Sequence, residues 1–285
     1  MAANLLKARY AVTGFDVLPE KRRRLVRAGG TAARSAADVA AAADIVICSL
    51  PSAESLLKVA TELASAPAPP TFVIETSTLP IAVKEEARGT LAPAGTTLLD
   101  CPISGTGTQV RARDVVVYAS GPKSACRAVG PVLNGFARAH HYVGAFGAGS
   151  RTKFVANLLV AIHNVAAAEA LVLAMKAGLD PALTLKVIAD GAGSSRMLQV
   201  RGPMMVHERY ADDPSVTLSI FRKDLTIIGD FARQLGSPTP LLAATIPIYT
   251  AAAATGREME DTAAVCAVLE MMAGHRRRAP GRRRL

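Results

Sequence analysis

Tryptophan is absent from this 285-residue chain, and aromatic side chains make up only 4% of it. A core must therefore be assembled from Ala, Val, Leu and Ile, in a chain that is half hydrophobic and long enough to bury one. Cysteine is sparse too. Cys48, Cys101, Cys126 and Cys266 lie far apart without a C-x-x-C spacing, and the five histidines do not cluster, so neither disulfides nor a metal site is indicated. The opening residues are too short and too mixed for a signal peptide. Gln234–Gly256 lacks internal charge, but Pro238, Pro240 and Pro247 interrupt it, which favours a buried helix after a loop over a membrane span. A reducing, cytoplasmic location without a membrane partner is expected.

Acidic residues are missing from the C-terminal run "HRRRAPGRRRL". It holds six of the 33 basic side chains and leaves 27 against 23 acids elsewhere, so most of the net charge of +10 is local. Such a run reads as a solvated, disordered tail over 275–285. With no aromatics between the arginines, stacking on nucleic acid is poorly supported.

What is present is an alternation. "YAVTGF" precedes the helical "PEKRRRLVRAG", where Pro19 suits a first turn and Gly29 a stop. "ADIVICSL" precedes "SAESLLKVATELA", "TFVIETS" precedes "PIAVKEEARGTLA", and "TTLLDCP", "DVVVYASG" and "ARAHHYVG" follow as strands. β-Branched runs separated by Ala-rich helices predict an α/β unit with a doubly wound parallel sheet and crossover helices. The second half is all-helical in pattern. Ser150 to Ala177 has no Pro or Gly, and "AGLDP" supplies Gly178 as a stop, Asp180 as a cap and Pro181 at the next first turn. The glycines of "VGAFGAG" mark the boundary. The expected organisation is an α/β domain over 1–146, an all-helical domain over 147–274, and the tail.

Ligands of a doubly wound sheet sit outside the carboxyl ends of its strands. Asp16 ends the first visible strand, where a carboxylate can accept hydrogen bonds from an adenosine ribose and repel a 2′-phosphate; the plain alternative is a helix-capping aspartate. "SLPS" (Ser49–Ser52) and "TST" (Thr76–Thr78) each follow a strand and start a helix, offering amides and hydroxyls to a dinucleotide or serving as caps. In "DCPISGTGTQ", Gly105 and Gly107 allow close backbone approach while Ser104 and Thr106 add donors, which suits a carboxylate, or the loop is a polar turn. Lys153 begins the long apolar helix, with Asn157 one turn on and Asn164 further along the same stripe. A lysine in apolar surroundings is costly unless partnered or used. It can take the hydroxyl proton of an alcohol as hydride leaves carbon, with Asn157 on the same oxygen. It can also be a solvated first-turn residue.

Asp100–Gly105 (D-x-P-x-S-G), Gly149–Asn157 (G-x-x-x-K-x-x-x-N) and Lys223–Leu225 (KDL), in this order and spacing, resemble the β-hydroxyacid dehydrogenase family from residue 1 to about 273. The resemblance implies a Rossmann domain followed by a helical domain, with subunits paired through the helices as a homodimer or homotetramer. It also implies an NAD-dependent oxidoreductase, with NADP as the alternative cofactor, acting on a small β-hydroxyacid or the matching semialdehyde. By the same resemblance Lys153 is the catalytic lysine and Asn157 its partner, and Ser104, Gly105 and Thr106 hold the substrate carboxylate. Leu50, Pro51, Thr78 and Lys223 match cofactor contacts, as does Asp16 for NAD-preferring members; Ser52 and Ser77 stand with them in the two strand-end loops. Many members carry a second glycine where this chain has Thr106, and an asparagine where it has Ala156. "MAANLLKARY" resembles the helix that follows the family's glycine-rich loop, so the first strand and that loop are expected to be missing, exposing the edge of the strand from Tyr10 to Asp16. A catalytically impaired relic of the family and a basic-tailed polyanion-binding protein are the alternatives.

Overall fold

Strand ends that fall in one row organise the first half of the chain. The computed structural model describes residues 1–212, 214 and 216–277, and divides into two compact units, Met1–Val155 and Ala156–Leu285. In chain order the first unit contains α1 (Ala2–Lys7), β1 (Thr13–Gly14), α2 (Pro19–Arg27), β2 (Thr31–Ala32), α3 (Ala36–Ala40), β3 (Ile45–Cys48) and α4 (Ala53–Ala64). There follow β4 (Phe72–Glu75), α5 (Ile81–Leu91), β5 (Thr97–Asp100), β6 (Ile103–Ser104), α6 (Gly107–Arg111), β7 (Val116–Ser120), α7 (Lys123–Ala128), α8 (Gly130–Phe136) and β8 (Ala139–Gly144).

β3, β4 and β5 are parallel and in register, so that Cys48, Glu75 and Asp100 align at their carboxyl ends. Side chains alternate between the faces of a strand. Val73 and Leu98 accordingly pack on one face with Leu56 and Leu63 of α4 and Leu91 of α5. Ile74 and Leu99 pack on the other with Leu5 of α1 and Leu133 and Phe136 of α8. Both faces are covered, as a doubly wound sheet requires. The order is not parallel throughout: β7 joins β5 antiparallel at Asp100↔Ser120, β6 lies antiparallel to β7, and β8 runs parallel to it. The strand expected over Tyr10–Asp16 is reduced to Thr13–Gly14, which pairs in parallel with β2 as a separate two-stranded sheet.

The long helix expected from Ser150 is α9 (Ala148–Lys176), and the division between the units falls within it. It is followed by α10 (Pro181–Ala189), α11 (Arg196–His207), α12 (Leu218–Gln234), α13 (Pro240–Ala252) and α14 (Val265–Met272). Side-chain oxygens of Asp180, Ser195 and Thr217 cap α10, α11 and α12 by accepting from the third helical amide. By length and composition α9 passes as a membrane span. Its interior positions are nevertheless spent on protein: Ala161, Asn164 and Ala168 are fully buried, and Asn164 Nδ2 donates to Tyr249 Oη (3.1 Å) and the Thr262 carbonyl (2.8 Å). Phe221 lies against Tyr249 with ring centroids 5.4 Å apart, and the buried Arg201–Asp261 pair (2.9 Å) ties α11 to the turn before α14.

The expected disordered tail needs correcting at its start. Arg277 is largely buried; it pairs with Glu270 and Glu208 and donates to the carbonyls of Met205 and Val206. Four acceptors converge on one guanidinium, which outweighs the local repulsion among arginines. Residues 278–285 lie outside the described residues.

Candidate active site

The row of strand ends carries the polar groups. Glu75 and Asp100, both fully buried, flank Lys84 of α5, whose Nζ lies 2.6 Å from Glu75 Oε2, 2.8 Å from Asp100 Oδ1 and 2.7 Å from the Ser77 carbonyl. Burial alone would lower the Lys84 pKa, but the two carboxylates outweigh it and hold the amine above its ordinary value. Burial, with the Glu75 charge beside it, pushes the Cys48 thiol up to about 12, so this strand end offers no thiolate nucleophile.

Above this row lie the two loops expected to meet a dinucleotide. Leu50 N–H donates to Ser77 Oγ (2.7 Å), which brings the "SLPS" and "TST" loops together across 27 residues. Ser77 N–H in turn donates to Glu75 Oε1 (2.8 Å), and Thr76 Oγ1 donates to the Cys48 carbonyl (2.7 Å). Ser52 is committed as the N-cap of α4, in a reciprocal box with Ser55, while Pro51 beside it is exposed. Thr78 is half-buried before α5, whose first turn has no side-chain cap. Asp16 Oδ1 accepts from Leu18 N–H (2.9 Å), a turn that leads into α2. The Arg22 guanidinium is directed to the carbonyls of Asp16 and Val17 and over the Phe15 ring. The residues present thus fit a dinucleotide: backbone amides and hydroxyls at aligned strand ends, with a carboxylate at the end of β1.

The loop after β5 is shaped for close approach. Gly105 has φ +135°, and a Cβ there would lie 2.6 Å from Val115 Cγ1, so only glycine fits. Ser104 is half-buried in β6 and pairs with Val116. Thr106 is less available than its hydroxyl promised: Oγ1 accepts from Gln109 N–H and caps α6, leaving the side chain 9% exposed.

Lys153 is 9% exposed on α9, which does not agree with a solvated first-turn lysine. Asn157, one turn further, is 5% exposed, and its Nδ2 donates to Asp224 Oδ2 (3.0 Å). Asp224, the middle residue of "KDL", was not among the candidates, although its place in that motif marked it. Lys223, which was, lies 3.6 Å from Asp224 Oδ1. Sequence reasoning also passed over Glu75, Lys84, Ser120 and Ser150, and gave Asp100 no role beyond its place in the D-x-P-x-S-G motif. The usable signal for Lys84 was its place on the core-facing stripe of α5 with Ala87 and Leu91.

A family model described as the NAD binding domain of 6-phosphogluconate dehydrogenase matches residues 1–144, and one described as NAD-binding of NADP-dependent 3-hydroxyisobutyrate dehydrogenase matches residues 147–269. The L-threonate dehydrogenase of Cupriavidus necator is 34% identical over 93% of this chain and 90% of its own. The chain belongs to the β-hydroxyacid dehydrogenase family. The dehydrogenase is also 30% identical to a probable 3-hydroxyisobutyrate dehydrogenase of Mycobacterium bovis, over 93% of this chain and 92% of that one. Among solved structures, 3-hydroxyisobutyrate dehydrogenase from Salmonella typhimurium superposes with a TM-score of 0.83 at 30% identity, covering 94% of both chains. The dehydrogenase is an oxidoreductase that uses NAD(P) for hydride transfer, with the Rossmann-type and helical units its sequence announced.

Proposed function

We propose that this dehydrogenase interconverts a small β-hydroxyacid and the matching carbonyl compound, with Lys153 as general acid and base. The observation that carries the assignment is the burial of Lys153 on α9, one turn before an asparagine that a buried aspartate holds in place. A bound nicotinamide supplies the hydride acceptor or donor. On the protein side, Lys153 Nζ takes the hydroxyl proton as the substrate carbon is oxidised and returns it in reduction. Asn157, its amide oriented by Asp224, steadies the same substrate oxygen. Ser104 and the backbone around Gly105 and Thr106 receive the carboxylate. Since the Thr106 hydroxyl is occupied as a cap, its amide is the stronger contributor.

Leu50, Pro51, Ser52, Ser77, Thr78 and Lys223 are the proposed cofactor contacts, with Asp16 on the adenosine ribose. Asp16 favours NAD over NADP, a reading supported by the engagement of Arg22 with backbone carbonyls, which takes the nearest guanidinium away from a 2′-phosphate. The proposed partner is a second copy of the chain, as a homodimer or homotetramer, and not a nucleic acid. The buried cysteines suit a reducing cytoplasm. The test is Lys153→Ala, assayed with a panel of short β-hydroxyacids by absorbance of the reduced nicotinamide. Turnover should fall by about 10²–10⁴-fold while NADH affinity is retained; near-normal turnover would remove Lys153 from the mechanism.

A further inference from the structure

Three fully buried charges with an uneven sign are an expensive way to stabilise a sheet. Glu75, Lys84 and Asp100 carry a net negative charge, and Lys84 alone accounts for only one of the contacts Asp100 makes. The others lead to α9. Asp100 Oδ1 accepts from Ser150 Oγ (2.8 Å) as well as from Lys84, and Oδ2 accepts from Ser150 N–H (2.7 Å) and, more loosely, from Ser120 Oγ (3.3 Å). Ser120 Oγ also donates to the Asp100 carbonyl (2.9 Å) and accepts from Gly149 N–H (2.9 Å). Two of the amides that a helix start leaves without an intrahelical partner are thus satisfied by groups at strand ends. The contact is close. A Cβ on Gly149 would lie 2.6 Å from both the Asp100 and the Tyr118 carbonyl oxygens, so the helix start rests directly on β5 and β7. A net negative group is also where the positive end of a helix dipole favours it.

We propose that Asp100 is a positioning residue for the reaction: it clamps the first turn of α9 to the end of β5, and so fixes Lys153 relative to the Ser104–Gly105 loop that begins four residues after Asp100. Lys153 stands three positions beyond Ser150, one turn along the same helix. One carboxylate therefore governs both the proton-transferring amine and the strand end from which the carboxylate-binding loop departs. The inference rests on the assignment of Lys153 as acid and base. It adds that the buried cluster serves geometry rather than stability alone.

The experiment compares Ser150→Ala, which removes the Oγ bond but keeps the amide bond and the ion cluster, with Asp100→Asn and Lys153→Ala in the full chain. Ser150→Thr, which keeps the hydroxyl, is the rescue, and Leu63→Ala, a truncation under α4, matches the loss of stability. Ser150→Ala should lower kcat about tenfold and Asp100→Asn about tenfold to a hundredfold, the scale of a misplaced catalytic group. Both should shift the pH profile of kcat while NADH affinity, read by fluorescence, stays within about twofold, well below the tenfold step that 1.4 kcal/mol represents. In the chain without cofactor, acetylation of Lys153 by acetic anhydride should speed up in both. Leu63→Ala should lower the melting temperature without any of these changes, and Ser150→Thr should restore kcat over Ser150→Ala. If Asp100→Asn does not fold, Ser150→Ala decides. An inactive Lys153→Ala beside a Ser150→Ala with unaltered kcat, pH profile and acetylation overturns the clamp alone. Full turnover in Lys153→Ala overturns the lysine assignment and the clamp with it.

Discussion

Replacing Lys84 by methionine keeps nearly the same volume and removes the cation that lies between two fully buried carboxylates. In the native chain its ammonium donates to Asp100 Oδ1 (2.8 Å) and to the Ser77 carbonyl (2.7 Å) and is ion-paired with Glu75 Oε2 at 2.6 Å. Removing one partner from a buried ion cluster typically costs about 3–5 kcal/mol, because the charge left behind is uncompensated. Against a total stability of about 5–15 kcal/mol, that is from about a fifth to the whole of it. Asp100 keeps its donors from Ser150 and Ser120, whereas Glu75 keeps the Ser77 amide, so Glu75 is the carboxylate left with the less compensation in the variant. Urea unfolding followed by circular dichroism should show that deficit, and Glu75→Gln in the Lys84→Met background should recover much of it. A deficit below about 1 kcal/mol would refute the argument, since such values belong to exposed pairs. The native chain carries a pH dependence at the alkaline end. The Lys84 pKa is raised, so its contribution is complete below the ordinary value of 10.5 and is lost as pH climbs through the higher folded value.

Asp16→Ser should narrow or reverse the preference for NAD over NADP, measured as the ratio of kcat/KM values; an unchanged ratio would mean that the carboxylate only shapes the turn into α2. Removal of residues 278–285 should leave turnover unchanged, but Arg277→Ala should destabilise the helical unit by about 2 kcal/mol in a thermal melt, the scale of charge-assisted hydrogen bonds. A melt unaltered by Arg277→Ala would show that its ion pairs and carbonyl contacts contribute nothing net. The native chain should resist iodoacetamide at pH 8, because all four thiols are buried and burial pushes Cys48 and Cys266 up to about 12. Rapid labelling of Cys48 without unfolding would contradict that burial.

The alternation of β-branched runs and Ala-rich stretches was enough to read the two-unit fold, because the central strands β4 and β5 are packed on both faces and α4, α10, α11 and α12 each start at a side-chain cap. Antiparallel entry of β7 was not legible, since periodicity carries no information about strand direction. Lys153, Asn157 and Gly105 were singled out as candidates by motif spacing. The supporting polar groups were not. Lys84 sits in "VKEEAR", a stretch that reads as a solvated helix face, and only the stripe it shares with Ala87 and Leu91 turns it inward. Asp100 and Ser150 meet across 50 residues, and Asn157 and Asp224 across 67, distances at which local pattern is silent. Thr106 illustrates the converse: its hydroxyl looked like a ligand donor, but Gln109 three residues later completes a capping box that could have been read from the sequence alone.

The contacts of Asn164 set an order of events during synthesis. Its acceptors, Tyr249 and Thr262, lie 85 and 98 residues later in the chain. At a translation rate of about 5–20 residues per second, the central part of α9 is made roughly 5–20 s before the last of these partners exists. During that interval the central part of a helix apolar enough to pass for a membrane span lacks these two partners. The nascent dehydrogenase is therefore a strong candidate client for ribosome-associated chaperones. Slowing translation between α9 and α14 should lower its soluble yield more than slowing it anywhere in the first unit.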